Sequence, residues 1–147
     1  WLGVIDLDHF KHVNDRFGHL IGDEVLLLTA RILRTAFRHG DRLYRFGGEE
    51  FVVMLRADTR THASLAFERF RTRMESFRFP QVGRVTASIG MTQVRAMDTA
   101  SAAFERADRA VYLAKQGGRN QLQCHERLVE AGALVESGDK TGEIELF

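Results

Sequence analysis

Residues 41–55 of the chain read DRLYRFGGEEFVVML. Two runs rich in β-forming residues, Asp41–Phe46 and Phe51–Leu55, flank the pair Gly47-Gly48. Glycine permits the positive φ that tight turns need, so this pattern predicts a β-hairpin. The strands of a hairpin run antiparallel, which argues against a doubly wound parallel sheet.

The segments on either side of the hairpin alternate between apolar runs and amphipathic stripes at helical spacing. In order, the patterns predict a strand over Trp1–Leu7, a short helix from Phe10 to Gly18, a long helix from Asp23 to Gly40, the hairpin, a helix over Thr61–Phe77, a strand over Val85–Val94, a helix over Thr99–Gln116 and a strand over Asn120–Cys124. This order predicts an α+β fold, ferredoxin-like or palm-type, with a mixed, largely antiparallel sheet flanked by helices.

Length and composition favour one compact domain. The 147 residues, 44% hydrophobic and 28% charged, are typical of a globular domain. We expect this domain over residues 1–125 and a C-terminal tail or linker over residues 126–147, because the segment after His125, ending in Glu143–Phe147, shows no clear period. The chain opens at Trp1 inside an apolar strand, so we expect it to be part of a longer protein.

Charge and cysteine content exclude several classes of function. The net charge of +1 argues against general nucleic-acid binding. The single cysteine, Cys124, excludes an internal disulfide and a cysteine zinc site, which fits a reducing compartment. No apolar run approaches the roughly 20 residues that span a bilayer. We therefore expect a cytoplasmic domain that makes no membrane contact itself, with a membrane anchor elsewhere in the parent protein left open.

Two aspartates, Asp6 and Asp8, lie at the C-terminal end of the first predicted strand. Their i, i+2 spacing points both carboxylates to one side of an extended chain. Carboxylates at a strand end suit a hard cation, and Mg²⁺ prefers a few carboxylates plus substrate phosphates. Alternatively, these acids cap the helix that starts near Phe10, since Asp is a favoured N-cap residue. The two aspartates can also divide these roles.

The turn of the hairpin carries two adjacent glutamates, Glu49 and Glu50. Neighbouring like charges repel unless a cation lies between them, and hairpin turns usually prefer Asn-Gly or Asp-Gly. If the first strand lies beside the hairpin, Asp6 and Glu49 converge in a pair suited to a phosphoryl-transfer metal site. The alternative is an exposed acidic turn, which the presence of Asp6 disfavours.

Lys115 and Arg119 lie at and beyond the end of the last long helix. Cations here suit a helix dipole and would serve equally as clamps for a triphosphate. The chain has no GxxxxGK[ST] motif and is therefore no P-loop enzyme, and it also lacks HExxH and GxSxG. The residues alone predict metal-dependent phosphate chemistry on an α+β domain.

Three ordered blocks of sequence resemble the GGDEF domains of diguanylate cyclases. Residues 6–23, DLDHFKHVNDRFGHLIGD, resemble the family pattern DxDxFKxxNDxxGHxxGD, and residues 45–51, RFGGEEF, resemble its signature in the GGEEF form. Ala114-Lys115 with Gly118-Arg119-Asn120 is similar to the closing AKxxGRN. The resemblance extends from Trp1 to Cys124. It implies an enzyme that condenses two GTP into cyclic di-GMP and releases two pyrophosphates.

The resemblance implies a metal site and a catalytic apparatus. Carboxylates of Asp6 and Glu49, assisted by the Leu7 carbonyl, would bind Mg²⁺, with Mn²⁺ as a substitute. Glu49 or Glu50 would help to deprotonate the attacking 3′-hydroxyl, and the resemblance leaves both open. The Lys11 ammonium would neutralise charge in the transition state.

The resemblance also implies a binding site for GTP. Asn14 and Asp23 would bind the guanine edge with His19 nearby, and Gly47 and Gly48 would leave room for the nucleotide. The triphosphate would be held by the backbone amides of Phe10 and Lys11 and by the side chains of Lys115 and Arg119. A carboxylate at position 23 accepts both guanine N–H groups, which adenine does not offer, so Asp23 favours GTP.

Two further features follow from the resemblance. Each domain would hold one GTP, so catalysis would need a homodimer in which each 3′-hydroxyl attacks the α-phosphate of the other GTP. The segment Arg38-His39-Gly40-Asp41 is similar to the RxxD inhibitory site, where cyclic di-GMP restrains its own synthesis. The alternative for Arg38 and Asp41 is ordinary surface chemistry around a helix-ending glycine.

Two other functions compete with this interpretation. A non-catalytic relative that senses GTP or cyclic di-GMP usually has a broken signature, whereas Asp6, Glu49 and Glu50 are present here. A cyclase that makes a monomeric cyclic nucleotide on a similar core is disfavoured by the GGEEF turn and by the pair Asn14 and Asp23.

Overall fold

The computed structural model describes residues 1–136. The strands are β1 (Leu2–Leu7), β2 (Arg42–Arg45), β3 (Glu50–Met54), β4 (Ala87–Thr92) and β5 (Leu122–Cys124). The helices are α1 (Phe10–Phe17), α2 (His19–Ala36), α3 (Arg60–Ser76), α4 (Ala100–Gln116) and α5 (His125–Glu130). In this part of the chain, each helix is too short or too polar to cross a lipid bilayer.

The strands form one sheet in the order β2-β3-β1-β4-β5. β1 pairs antiparallel with both β3 and β4, and β2 pairs antiparallel with β3. Only the pairing of β4 with β5 is parallel within the described residues. The predicted α+β fold with a mixed, largely antiparallel sheet is confirmed, and so is the hairpin of β2 and β3.

β1 is the central strand, and its alternating side chains contribute to two cores. On one side, Leu2 and Val4 join Val52 of β3 and the apolar face of α4. On the other side, Ile5 and Leu7 belong to the larger core, which also contains side chains of α1, α2 and α3. Because side chains alternate along a strand, Asp6 lies on the same side as α4.

α4 packs closely on β4 because Gly90 has no side chain. A Cβ atom at Gly90 would lie 2.0 Å from the Ala107 carbonyl oxygen and 2.5 Å from the Val111 nitrogen. The facing side of α4 is rich in small residues, including the buried Ala103 and Ala110. This contact fixes α4 along the sheet and positions its last turn, which carries Lys115.

Two helices differ from the expectations. α2 begins at His19, before the apolar stripe that starts near Asp23, because Gly18 (φ 86°) ends α1 and is also the N-cap of α2. Sequence periodicity gave no helix after His125, yet α5 spans His125–Glu130. Residues 131–136 form turns and irregular structure, and the remainder of the expected linker, residues 137–147 with Glu143–Phe147, lies outside the described residues. The boundary at residue 125 stays a prediction.

Candidate active site

An acidic cluster of Asp6, Glu49 and Glu50 lies where β1 ends and β3 begins. Asp6 is the register partner of Glu50 in the antiparallel pairing of β1 with β3. From the last turn of α4, the Lys115 ammonium approaches an Asp6 carboxylate oxygen to 2.9 Å. β1 and the hairpin therefore bring together carboxylates that are far apart in the sequence, and α4 adds a lysine.

The turn between β2 and β3 is held by hydrogen bonds at both ends. The Phe46 N–H donates to the Glu50 carbonyl at 2.8 Å, and the Leu7 N–H donates to the Glu49 carbonyl at 3.2 Å. Within the turn, an Arg45 guanidinium N–H donates to the Gly48 carbonyl at 3.0 Å. The turn is thereby tied directly to the end of β1, next to Asp6.

The two glycines of the turn differ in what they contribute. Gly47 has φ 83°, a left-handed conformation that side chains rarely adopt. Gly48 lacks this constraint, and a Cβ atom placed on it would meet nothing within 4 Å. Space beside Gly48 is therefore open to a ligand, as predicted for a nucleotide that approaches the backbone.

Burial and like charges act on the carboxylates of the cluster. Burial raises the pKa of Asp6, as do the charges of Glu49 and Asp8, while the hydrogen bond from Lys115 opposes this rise. Burial also raises the pKa of Glu50, with contributions from the charges of Asp6, Asp108 and Glu49. The cluster is short of positive charge, and a bound cation would relieve this repulsion.

The cluster suits a divalent cation whose coordination shell is completed by a bound substrate. Within residues 1–136, no group of three His, Cys, Asp or Glu side chains forms a metal cage of its own. Mg²⁺ seldom needs such a cage, because it binds one or two carboxylates and completes its shell with water and phosphate oxygens. Carboxylates from two neighbouring strands, beside an open glycine turn, meet that requirement.

Asp8 has a structural role that the sequence did not reveal. Its carboxylate accepts hydrogen bonds from the hydroxyls of Ser88 (2.6 Å) and Thr86 (2.7 Å) and from the Asn120 N–H (3.0 Å). The proposed capping role is wrong, because the N-cap of α1 is His9 and this cap has no side-chain hydrogen bond. Asp8 instead ties the end of β1 to β4 and to the loop after α4.

α1 and α2 carry the residues expected to bind the base. Asn14 packs against Gly22, where a Cβ atom would lie 1.8 Å from the Asn14 side-chain oxygen. Asp23 follows one residue later and is exposed, as is His19 at the start of α2. The structure thus brings Asn14 near the first turns of α2. Gly22, which was not singled out from the sequence, makes this contact possible.

Three residues of the expected phosphate site differ in exposure. Phe10 is buried at the start of α1, whereas Lys11 and Arg119 are exposed. Arg119 follows α4 with φ 64°, and its N–H donates to the Ala114 carbonyl at 3.0 Å. Lys115 contacts Asp6 at the acidic cluster, whereas Arg119 lines a neighbouring cavity together with His9. The cations expected to bind phosphate are therefore divided between the acidic cluster and the neighbouring cavity.

Arg38 and Asp41 form a compact turn after α2. The Arg38 N–H donates to an Asp41 carboxylate oxygen at 2.9 Å, and the Asp41 N–H donates to the Arg38 carbonyl at 3.0 Å. Both residues line a cavity of about 460 Å³ that also includes Arg56 and Arg69. The segment is thus accompanied by two further arginines that sequence reasoning missed, because they come from other parts of the chain.

Comparison with known proteins identifies the family. The family model described as "Diguanylate cyclase, GGDEF domain" matches residues 2–121. Diguanylate cyclase DgcP of Pseudomonas aeruginosa is 44% identical over 125 residues, which cover 83% of this chain and 19% of the relative. Diguanylate cyclase A of Treponema denticola is 40% identical over 123 residues, covering 81% of this chain and 33% of the relative. The chain thus spans a third or less of these relatives.

Solved structures agree with this assignment. The GGDEF domain of DgcB from Caulobacter crescentus, in complex with c-di-GMP, is 30% identical with a TM-score of 0.80 and covers 85% of this chain and 77% of that one. The active GGEEF domain of a diguanylate cyclase from Vibrio cholerae is 32% identical with a TM-score of 0.77, and the match covers 84% of this chain and 81% of that one. The chain therefore belongs to the family of diguanylate cyclase GGDEF domains.

Proposed function

We propose that this domain condenses two GTP molecules into cyclic di-GMP. The observation that carries the proposal is the acidic cluster, in which Asp6 is paired across the sheet with Glu50, lies near Glu49 and contacts Lys115 at 2.9 Å. Curated relatives that match more than four fifths of this chain are named diguanylate cyclases. Activity and substrate are carried over from those longer proteins, so they require a direct test.

In this proposal, the Asp6 and Glu49 carboxylates and the Leu7 carbonyl hold Mg²⁺, or Mn²⁺ in its place. A divalent cation bound there supplies positive charge that neutralises the phosphates and stabilises the leaving group. The like-charged surroundings of Asp6 support this role, because they disfavour three ionised carboxylates without a cation. Lys115 then balances part of the remaining negative charge.

The residues of α1 and α2 orient the substrate in this proposal. Asn14 and Asp23 bind the guanine edge with His19 at the rim, and the exposed turn of Gly47 and Gly48 leaves space for the nucleotide. The backbone amides of Phe10 and Lys11 and the side chains of Lys115 and Arg119 bind the triphosphate. Such positioning supplies a large part of the rate enhancement in phosphoryl and nucleotidyl transfer.

The chemical step is a displacement at the α-phosphate. The 3′-oxygen of one GTP attacks the α-phosphorus of the other, and its proton passes to Glu49 or Glu50. The bond from the α-phosphorus to the bridging oxygen breaks, and pyrophosphate leaves with the electron pair. Lys11 offsets the negative charge that develops on the phosphoryl oxygens. A second, equivalent step closes the ring of cyclic di-GMP.

The proposed reaction requires two copies of the domain. Each site binds one GTP, and the attack joins nucleotides held by different domains. The exposure of the Gly47-Gly48 turn supports this, since a second domain must be able to approach the nucleotide there. The rate should therefore rise more steeply than linearly with protein concentration wherever the domain is mostly monomeric.

The turn at Arg38 and Asp41 is proposed as an inhibitory site for cyclic di-GMP. Its cavity of about 460 Å³ is lined by Arg38, Arg56 and Arg69, which suit the phosphates of a cyclic dinucleotide. The DgcB domain from Caulobacter crescentus was solved in complex with c-di-GMP. Replacing Arg38 with Ala should relieve inhibition by added product without lowering the initial rate.

The decisive experiment incubates the purified domain with GTP and Mg²⁺ at high protein concentration and identifies the products by mass spectrometry. We expect cyclic di-GMP from the native chain and none from Glu49→Gln. Glu105→Gln, which removes an exposed glutamate of α4, is the matched control and should retain activity. Binding of GTP without product would instead favour a nucleotide sensor, and a monomeric cyclic nucleotide would refute the proposed reaction.

A further inference from the structure

A second cavity lies on the other side of α1 from the expected base site. Its volume is about 740 Å³, and its basic lining residues are His9, His12, Arg16, Arg84 and Arg119. Positions 12 and 16 share one face of α1, and His9 is the N-cap residue that precedes this helix. Lys11 and Asn14, which belong to the proposed substrate site, point away from that face because each helical residue turns the chain by about 100°.

Among the described residues, a single carboxylate lines this cavity, and it is already engaged. Asp8 accepts three hydrogen bonds, from Ser88, Thr86 and the Asn120 N–H. Thr86 and Asn120 themselves line the cavity, so Asp8 holds two of its walls in place. Its charge is spread over these donors, and Arg16, Arg84 and Arg119 supply positive charge to the cavity.

The arginines can turn towards a ligand at small cost. Arg84 contacts Glu75 at 2.5 Å, but this pair is exposed, and such pairs contribute little to stability. Glu75 keeps a second partner in Arg71 at 3.0 Å. Arg16 lies over the Phe17 ring at 5.2 Å from the ring centroid. The cavity therefore offers guanidinium groups that are not committed to a buried ion pair.

The position of Arg119 connects this cavity with the reaction. Arg119 lines the cavity and belongs to the proposed triphosphate clamp, so the cavity opens at the phosphate end of the substrate site. Pyrophosphate is released at that end, because it is formed from the β- and γ-phosphates. Clustered guanidinium groups suit a dianion or trianion with several phosphate oxygens.

We infer that this cavity is a product subsite for inorganic pyrophosphate, with Arg16, Arg84 and His12 as its outer wall. This inference rests on the proposed function, because only that function generates pyrophosphate here. Pyrophosphate moves from Arg119 into the cavity after the bond to the α-phosphorus has broken. The subsite makes pyrophosphate a product inhibitor whose affinity depends on residues outside the substrate site.

Titration calorimetry on the whole chain tests the inference, with inorganic pyrophosphate, orthophosphate and a non-hydrolysable GTP analogue as separate probes. In the double variant Arg16→Gln/Arg84→Gln, we expect pyrophosphate to bind about tenfold more weakly, while the affinity for the GTP analogue stays within about twofold. The control Arg31→Gln/Arg127→Gln removes two exposed arginines outside the cavity and should leave both affinities unchanged.

Several outcomes overturn the inference. Unchanged pyrophosphate affinity in the cavity variant excludes the subsite, and equal losses for pyrophosphate and the GTP analogue make the cavity part of the substrate clamp. Orthophosphate that binds as tightly as pyrophosphate indicates a general anion site. If the double variant unfolds, Arg16→Lys/Arg84→Lys is used in its place, because it keeps both positive charges. We expect this variant to retain most of the pyrophosphate affinity, and a loss of that affinity would count against the inference.

The same measurements separate this inference from the proposed function. Calorimetry requires no turnover, so cavity-dependent binding of pyrophosphate supports the anion site whether or not cyclic di-GMP forms. If pyrophosphate binds in the cavity but the native chain makes no cyclic di-GMP, the proposed function fails. The cavity is then an anion site and not a product subsite. In an active enzyme, the inhibition constant of pyrophosphate should rise about tenfold in the double variant with an unchanged KM for GTP.

Discussion

Carboxylates lie at both ends of the sheet, but they are balanced very differently. At the end of β1, Asp6, Glu49 and Glu50 are close enough for their charges to repel, and Lys115 offsets only part of this. β4 runs antiparallel to β1, so the C-terminal end of β4 lies beside the start of β1, at the opposite end of the strands. There, Asp98 accepts two hydrogen bonds from the Arg106 guanidinium, at 2.6 and 2.8 Å.

The rest of the β4 end is similarly well matched. Glu126 accepts hydrogen bonds from the Thr92 hydroxyl (2.6 Å), the Gln93 N–H (3.0 Å) and the Cys124 thiol (3.2 Å). Arg106 also donates to the Gln93 carbonyl at 3.0 Å. A satisfied network of this kind stabilises one conformation, whereas charges left unbalanced are available to bind a cation and substrate. The β4 end is thus matched for stability, whereas the β1 end keeps the negative charge that the proposed metal site requires.

The largest difference should appear when one carboxylate of the β1 end is neutralised. Asp6→Asn should lower cyclase activity by at least about 10³-fold, because the proposed metal loses a ligand. Its melting temperature should not fall by more than a few degrees, since the change also removes a carboxylate whose ionisation is opposed by burial. Product assays and thermal unfolding check this pair of results. Substantial remaining activity would count against the metal site.

The opposite pattern is expected at the β4 end. Arg106→Leu leaves the largely buried Asp98 without its guanidinium partner, so the free energy of unfolding should fall by about 3 kcal/mol. Denaturant unfolding measures this loss, with Arg31→Leu on α2 as the exposed control. Under conditions in which the Arg106 variant is still folded, its KM for GTP should equal that of the native chain. A loss below about 1 kcal/mol would contradict the structural role assigned here.

A smaller effect is expected where the base site depends on a close helix contact. Gly22→Ala places a methyl group 1.8 Å from the present position of the Asn14 side-chain oxygen. The Asn14 side chain must move, which displaces the hydrogen bond that we propose between Asn14 and guanine. The affinity for GTP should therefore fall about tenfold. Calorimetry with a non-hydrolysable GTP analogue measures the change. In Gly40→Ala, where a Cβ atom meets nothing within 4 Å, the affinity should be unaffected.

The mildest effect concerns the dependence of stability on pH at the β4 end. Burial lowers the pKa of His125, and neither ring nitrogen has a hydrogen-bond partner among the described residues. His125 therefore binds a proton more readily in the unfolded chain than in the folded chain. Its contribution to the free energy of unfolding is fully present above the ordinary histidine pKa of about 6.5 and is lost as the pH falls below that value. His125→Leu should flatten this slope between about pH 7 and 5, measured by denaturant unfolding. An unchanged slope would assign it to other groups.

Much of this molecule could be predicted from local sequence, and the failures share one cause. Gly47-Gly48 between two β-rich runs predicts the hairpin, and the spacing of apolar residues predicts α2 and α4. The role of Asp8 could not be found in this way, because its hydroxyl partners lie 78 and 80 residues away in the sequence. α5 was missed because six residues are too few to show a periodic stripe.

The site residues divide along the same line. Asp6 and Glu49 were expected to converge only if β1 lay beside the hairpin, and the pairing of β1 with β3 fulfils that condition. Gly22 and the cavity that includes Arg84 depend on how α1 packs against its neighbours, which no local pattern reveals. Their roles became visible only once the helices were placed on the sheet.

The edge strand β2 bears on the solubility of a domain for which we propose catalysis between two copies. Its sequence is RLYR, and its outer edge has no neighbouring strand among the described residues. Open edges invite strand-to-strand aggregation, which short length and charged side chains oppose. Arg42 and Arg45 place a positive charge at each end of this four-residue strand. The short, charged edge therefore opposes sheet-to-sheet joining at the high protein concentrations that the proposed reaction requires.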